Sequence, residues 1–318
     1  MKARSEFKSV AVCCLVAFFA VVSARGAVKY AAPGGIGDGT GWNDPGDAAA
    51  LIAAAGADDE IRFKAGLYDF SSGGVSSAAA VTLSGGWSGE GEARGGETVF
   101  ANAPGTALSL TAGSGLVTLD SLTFSNCVTR GVHKSGAASI FVTNCAFRAN
   151  GTTTSYVQGR GAYFSGGTGA KLEVVDSRIL DNRVSSGSNN SNYQNNSGQG
   201  FFVTSFASAR FVGCTFARNG QQVTATVGNW RDCSAGAAIY VTGVPVFATN
   251  CAFRANRGIA HGGGDGGIVA FAGNVDGSVL DHCLFVGNSH AHMGEKLPGG
   301  IHFIQLGLRL LPQHHGLR

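Results

Sequence analysis

The amino-acid sequence predicts an all-β chain, a single-stranded parallel β-helix with a short N-terminal capping helix, and three observations carry that expectation. A six-residue phrase returns five times, as Cys145–Asn150, Ser177–Asn182, Cys214–Asn219, Cys251–Asn256 and Cys283–Asn288. Its spacings of 32, 37, 37 and 32 residues lie in the range of solenoid repeats. Apolar residues alternate before and within each copy, and a Gly-led apolar run follows each one. Gly supplies 50 of the 318 residues and Pro only 6, which suits short strands joined by tight turns.

Each element of the repeat has its own justification. Val142, Val174, Phe211, Ala248 and Leu280 stand three residues before the cysteine position, and Ile140, Leu172, Ala209, Val246 and Ser278 five before it. Residues two apart share one face of a strand, so these pairs form an inward-facing first strand. The cysteine position and the residue two further on, an aromatic in four copies, form a second such pair. Three residues separate the pairs, and a straight strand would put them on opposite faces. A bend at Asn144, Gly213 and Asn250 turns both inward.

The second strand ends on Asn150, Asn182, Asn219, Asn256 and Asn288, a residue type that tolerates turns and bonds its own backbone or an equivalent Asn in the next coil. A third strand opens on small residues: Gly161–Phe164, Gly200–Val203, Gly236–Tyr240, Gly266–Val269 and Gly299–Phe303. Three bent strands per repeat cannot bury their apolar side alone, so rungs stack at roughly 4.8 Å and equivalent residues form ladders. Helical repeats are disfavoured by the alternation and by the β-branched and aromatic strand residues.

The signature Phe-x-x-Asn (Phe147 to Asn150, Phe216 to Asn219, Phe253 to Asn256, Phe285 to Asn288) is paired with Gly-Gly-[Ala/Ile]-[Ile/Val] (Gly266 to Val269, Gly299 to Ile301). Together they resemble polymorphic outer-membrane protein repeats, and more broadly right-handed β-helix proteins of the pectate-lyase-like superfamily. The resemblance spans roughly residues 27–303 and implies a right-handed solenoid, with polysaccharide as partner or substrate class. No C-terminal β-barrel translocator follows, which departs from the outer-membrane family.

Residues 1–26 read as a signal peptide. Lys2, Arg4 and Lys8 precede an apolar core from Val10 to Val22, and Val22–Ala24 or Ala24–Gly26 offers small residues for cleavage. The core is too short for a membrane span, which needs about 20 residues. Val12 ahead of Cys13 and Cys14 does not suit lipidation. Cleavage leaves 19 basic and 19 acidic residues, so the formal charge of +3 belongs to the leader and a nucleic-acid partner loses its electrostatic basis.

The expected protein is exported, extracellular or on the cell surface, with no transmembrane segment in the mature chain. It is associated with an outer membrane only where a longer relative supplies an anchor. Residues 27–58 read as an N-terminal cap, with a helix from Asp47 to Ala55 capped by Asp47 and ended by Gly56. The Gly-rich run at 34–41 lacks Gly-Lys-[Ser/Thr] and a nonapeptide repeat, so it is not read as a phosphate or calcium site.

Six cysteines follow the leader: Cys127, Cys145, Cys214, Cys233, Cys251 and Cys283. Stacked equivalents fall within disulfide reach, but a ladder of small buried thiols is the favoured reading for Cys145, Cys214, Cys251 and Cys283. No Cys/His spacing recurs, so neither a metal nor another cofactor is expected. His290 and His292 read as solvated loop residues.

Two function classes remain. A lyase or hydrolase needs clustered carboxylates, yet Asp176 and Asp281 lie several rungs apart, and Asp181 beside Arg183 and His261 near Asp265 are the remaining hints. No catalytic residue is assigned. The favoured reading is an adhesin-like, glycan-binding or structural protein. Its segments 151–160, 183–199, 220–235, 257–265 and 289–298 project as a ridge of loops carrying Tyr156, Tyr193 and Trp230 for sugar stacking.

Residues 304–318 break the pattern: they contain no acid, no repeat register and no cap. They read as a segment folded over the end or as a truncation, and the missing polar cap favours truncation.

Overall fold

The computed structural model of the chain describes residues 26–151, 157–184, 197–221, 236–261, 267–293 and 309–310. These residues wind into a right-handed parallel β-helix whose strands pair only with parallel neighbours in adjacent rungs. The first sheet has ten strands among the described residues, from Val28–Ala31 to Arg309–Leu310. The second has eight, from Gly66–Asp69 to Leu284–Val286, and the third seven, from Val75–Ser77 to Val269–Ala272.

Register is one-to-one through the repeats, so equivalent residues lie above one another, and it shifts by one between Arg62 and Lys64 in the first rungs. Phe147 pairs with Ile179, Ile179 with Phe216, Phe216 with Phe253, and Phe253 with Phe285. The apolar alternation explains this, because a slip of one residue would turn every buried side chain outward.

Two columns of left-handed residues make the corners. Between the first and second sheets stand Asn144 (φ 50°), Asp176 (φ 46°), Gly213 (φ 61°), Asn250 (φ 54°) and His282 (φ 50°). Three of these are Asn or Gly, the residue types that enter this region most readily. Immediately before the Asn ladder stand Ala149 (φ 54°), Asp181 (φ 56°), Arg218 (φ 54°) and Ala255 (φ 50°). Here the geometry is imposed on residues that disfavour it.

The Asn ladder explains what holds that second corner. Asn150, Asn182, Asn219 and Asn256 are buried, and Asn288 is half-buried. From Asn182 to Asn288 each Oδ1 accepts from the side chain of the Asn one rung earlier, at 3.0–3.1 Å. It also accepts from that residue's backbone N–H, at 2.9–3.1 Å. Cys127 occupies the same position one rung before Asn150 and donates its backbone N–H to Asn150 Oδ1 at 3.0 Å.

Inside, Phe124 and Phe147 stack at 5.3 Å, Phe216 and Phe253 at 5.1 Å, and Phe253 and Phe285 at 4.6 Å. Ile179 interrupts this column. Phe201, from the third sheet, fills the break edge-on, 5.0 Å from Phe147 and 5.6 Å from Phe216. The cysteine column has a matching break at Ser177, whose Oγ accepts from Cys145 N at 3.1 Å and donates to Val175 O at 2.9 Å.

Three features differ from the sequence expectation. The segments after the Asn ladder do not begin as loops: Arg183–Val184, Gly220–Gln221, Arg257–His261 and Ser289–Met293 form a fourth parallel sheet. Its cause is the ladder itself. With successive Asn residues aligned, the next N–H meets the previous rung's Asn carbonyl: Gly220 N reaches Asn182 O at 3.1 Å and Arg257 N reaches Asn219 O at 2.9 Å. His290 and His292 therefore lie on a strand rather than in a loop.

The N-terminal helix, α1, spans Ala48–Ala53 and ends earlier than expected, with Ala54 as its C-cap. Gly56 instead donates its N–H to Asp59 Oδ2 at 2.8 Å. Asp47 Oδ1 accepts from Ala50 N at 2.8 Å, and the helix packs against Val75–Ser77, the outermost strand of the third sheet. Finally, Arg309 and Leu310 pair in register with Val279 and Leu280, so the tail is not wholly out of pattern.

Candidate ligand-binding face

Strand alternation in the third sheet sends every second residue outward, and one outward position in consecutive rungs is His133, Tyr163, Phe202 and Tyr240. The rings form a continuous column. His133 meets Tyr163 edge-on at 5.1 Å, Tyr163 stacks on Phe202 at 5.0 Å, and Phe202 stacks on Tyr240 at 5.3 Å. Phe202 is buried, and His133, Tyr163 and Tyr240 are half-buried. Rings held upright by their neighbours lose little entropy when a ligand docks.

Cationic groups flank this column at its N-terminal side. The Arg130 guanidinium lies 5.3 Å from the Tyr163 ring centroid, a cation–π distance, and its Nε is buried without a hydrogen-bond partner. Burial pushes its pKa down. Burial, with the charge of Arg130, also lowers that of His133, which is neutral near pH 7 and can both donate and accept. Arg160 is fully buried at the corner one rung on; it donates from Nη1 to Gly151 O at 2.6 Å, and burial pulls its pKa to about 10.

Beneath the face sits a buried ammonium. Lys134 is fully buried and donates to the carbonyls of Gly136 (2.7 Å), Ser165 (3.1 Å) and Ala138, with Nζ 5.0 Å from the Phe206 ring. Three acceptors match the three N–H bonds of the charged form, while burial lowers its pKa to about 8.

The three aromatic residues assigned from sequence, Tyr156, Tyr193 and Trp230, lie outside the described residues, as does Cys233. The sequence reading missed the column, although its signal was present. An aromatic recurs at the outward position of Gly161–Phe164, Gly200–Val203 and Gly236–Tyr240.

The carboxylates singled out from sequence are not brought together. Asp181 is gripped by Arg218 through two bonds of 2.9 and 2.6 Å and by Arg183 at 2.8 Å. Glu173 is paired with Arg210, and Asp281 contacts its neighbour His282 at 2.7 Å. Asp176 belongs to the first corner column, and Asp265 lies outside the described residues. Among the described residues no three His, Cys, Asp or Glu side chains gather as they would around a metal ion.

The cysteine ladder is core. Cys145, Cys214 and Cys251 are buried, Cys283 is half-buried, and all four, with Cys127, are free thiols. Burial pushes Cys145 up to about 12. The hydrogen bond it shares with Cys214 pushes Cys251 up to about 12 and draws Cys214 down. No helix among the described residues is long and apolar enough to cross a membrane.

No protein-family model matches the chain, and no curated protein matches it. Among solved structures it is similar to one described as the crystal structure of pectate lyase Pel9A, at 13% identity and a TM-score of 0.41, covering 81% of this chain and 76% of that one.

Proposed function

We propose that this chain is an exported β-helix protein, secreted or held at the cell surface, with an adhesin-like or structural role, and that it binds glycan along the outer face of the third sheet. Residues 1–26 act as the leader and 27–303 as the solenoid. The observation that carries the reading is the outward column Tyr163–Phe202–Tyr240, repeated at rung spacing beside the Arg130 guanidinium. Tyr163 and Tyr240 are half-buried on either side of Phe202, and a polymer of regular repeat can meet an aromatic contact at successive rungs.

The experiment is a glycan array read with wild type and with the double variant Tyr163→Ala/Tyr240→Ala. Binding should fall at least about ten-fold in the variant, the loss of roughly 1.4 kcal/mol. Binding unchanged in the variant removes this face from the proposal. Wild type that binds no glycan removes the proposal itself.

A further inference from the structure

Charge is divided along the solenoid. Residues 27–100 contain ten acidic and four basic residues, a net of −6, whereas residues 101–318 contain nine acidic and fifteen basic, a net of +6. Two exposed arginines of this excess, Arg178 and Arg254, stand on one side without an ion pair among the described residues. The outer face of the second sheet carries Arg148, Arg178 and Arg254 on strands that hold no carboxylate, and Arg218 projects from the adjoining corner. Arg178, Arg218 and Arg254 are exposed; Arg148 is paired with Glu97 at 3.1 Å, and Arg218 with Asp181. Between them the face is floored by small side chains, Ala146, Thr215, Ala217 and Ala252, which leave it flat.

The acidic end has little local compensation. Glu60 and Glu92 share Arg62, while Asp58 and Glu90 are exposed and make no ion pair among the described residues. Arg178 stands four rungs beyond Gly66–Asp69 and Arg254 six, about 19 and 29 Å at the inter-strand spacing. Both distances exceed the roughly 8 Å screening length of physiological salt, so Arg178 and Arg254, unlike Arg148 with its Glu97 partner, are not neutralised by the acidic rungs of their own molecule. Each therefore presents its field to a partner.

We infer that the complement of the arginine face is the acidic first rungs of a second copy of this chain, giving head-to-tail association. Opposite net charges of equal size on one chain are self-complementary when the acidic end of one copy meets the basic face of another. Two copies lying antiparallel satisfy both contacts at once and close as a dimer, whereas an offset pair leaves one acidic end and one basic face free and grows further. Guanidinium groups suit it, since they bind carboxylates bidentately.

Sedimentation velocity of the exported chain tests this at about 20 mM and about 500 mM NaCl, conditions whose screening lengths differ several-fold. The sedimentation coefficient should rise with protein concentration at low salt and return to the monomer value at high salt. Arg178→Glu/Arg254→Glu and Asp58→Lys/Glu90→Lys should each sediment as monomers at low salt, with circular dichroism unchanged. Mixed, the two variants should form a heterodimer, because each supplies the charge the other has lost. Monomeric wild type at low salt overturns the inference. So does association that survives in the arginine variant, or a mixture that stays monomeric. Retention on an anionic polymer without self-association also overturns it, assigning the face to another polyanion.

Discussion

Asn219 and Asn256 are joined twice across one rung: Asn256 Oδ1 accepts from both the side-chain and the backbone nitrogen of Asn219, each at 3.0 Å. Asn219 Nδ2 also donates to Ile179 O at 2.8 Å, so one side chain ties three rungs. Asn219→Ala strands that carbonyl and the donors of Asn182 in the interior. The expected destabilisation is about 2–4 kcal/mol, given roughly 1–3 for each unsatisfied buried group. Urea unfolding followed by circular dichroism measures it. Asn219→Asp keeps the acceptor but loses the donor, so it should also destabilise.

The break in the aromatic column gives an expectation opposite to the repeat consensus. Ile179→Phe makes the phrase more regular, yet Phe201 already occupies the space, and overpacking destabilises by about 1–3 kcal/mol. Phe201→Ala opens a cavity and should cost about 3–5 kcal/mol. Thermal melts of the two single variants decide this. An Ile179→Phe protein as stable as wild type would show that Phe201 is free to withdraw.

Ala149 and Ala255 are held at φ 54° and 50°. A left-handed alanine is strained by about 1 kcal/mol or more, of which the extra flexibility of an unfolded glycine returns about half or more. Ala149→Gly and Ala255→Gly should therefore be neutral to stabilising by up to about 1 kcal/mol, against the usual loss on placing glycine in a folded chain. A clear fall in melting temperature for both would mean that neighbouring contacts relieve the strain.

Two groups of titrations pull stability in opposite directions as pH rises. Lys134 has a folded pKa of about 8 against an ordinary 10.5. Between these values the unfolded chain holds a proton the folded one has lost, so stability climbs from about pH 8. Cys145 and Cys251 reverse the sign: their thiols ionise near 9 when unfolded and near 12 when folded, so their contribution is lost above about pH 9. Denaturation midpoints should rise from pH 8 to 9 and then turn down. Lys134→Met should abolish the rise, and Cys145→Ala/Cys251→Ala should blunt the fall.

The same burial protects the thiols of Cys145 and Cys251 chemically. At pH 8 these two should resist iodoacetamide in the folded protein and react once it is unfolded, since alkylation requires the thiolate. Peptide mass spectrometry resolves them individually. Rapid native labelling of Cys145 would mean that its rung opens.

Legibility followed the physics of alternation. Positions such as Val142 and Phe147 were readable because burial selects apolar side chains directly, and the corner at Asn144 because the spacing between two inward pairs demanded a bend. The fourth sheet was not readable. Its strand Arg183–Val184 carries no apolar alternation and exists because Asn150 and Asn182 fix the backbone that follows. Ala149 and Ala255 gave no sign of left-handed geometry, since a side chain chosen by local preference would have been glycine. Tyr163, Phe202 and Tyr240 were visible individually but not as a column, because outward residues acquire meaning only once the rungs are set one above another.

The two interval lengths between successive ladder asparagines, 32 and 37 residues, have a consequence for how such a chain can change. The phrase before each Asn keeps its length, so the five extra residues fall entirely between Asn182 and Asn219 or Asn219 and Asn256, outside that phrase. Insertions and deletions there leave every buried pairing in place. Change in length is thereby confined to stretches outside the ladders, and one such stretch can be exchanged for another without renegotiating the interior.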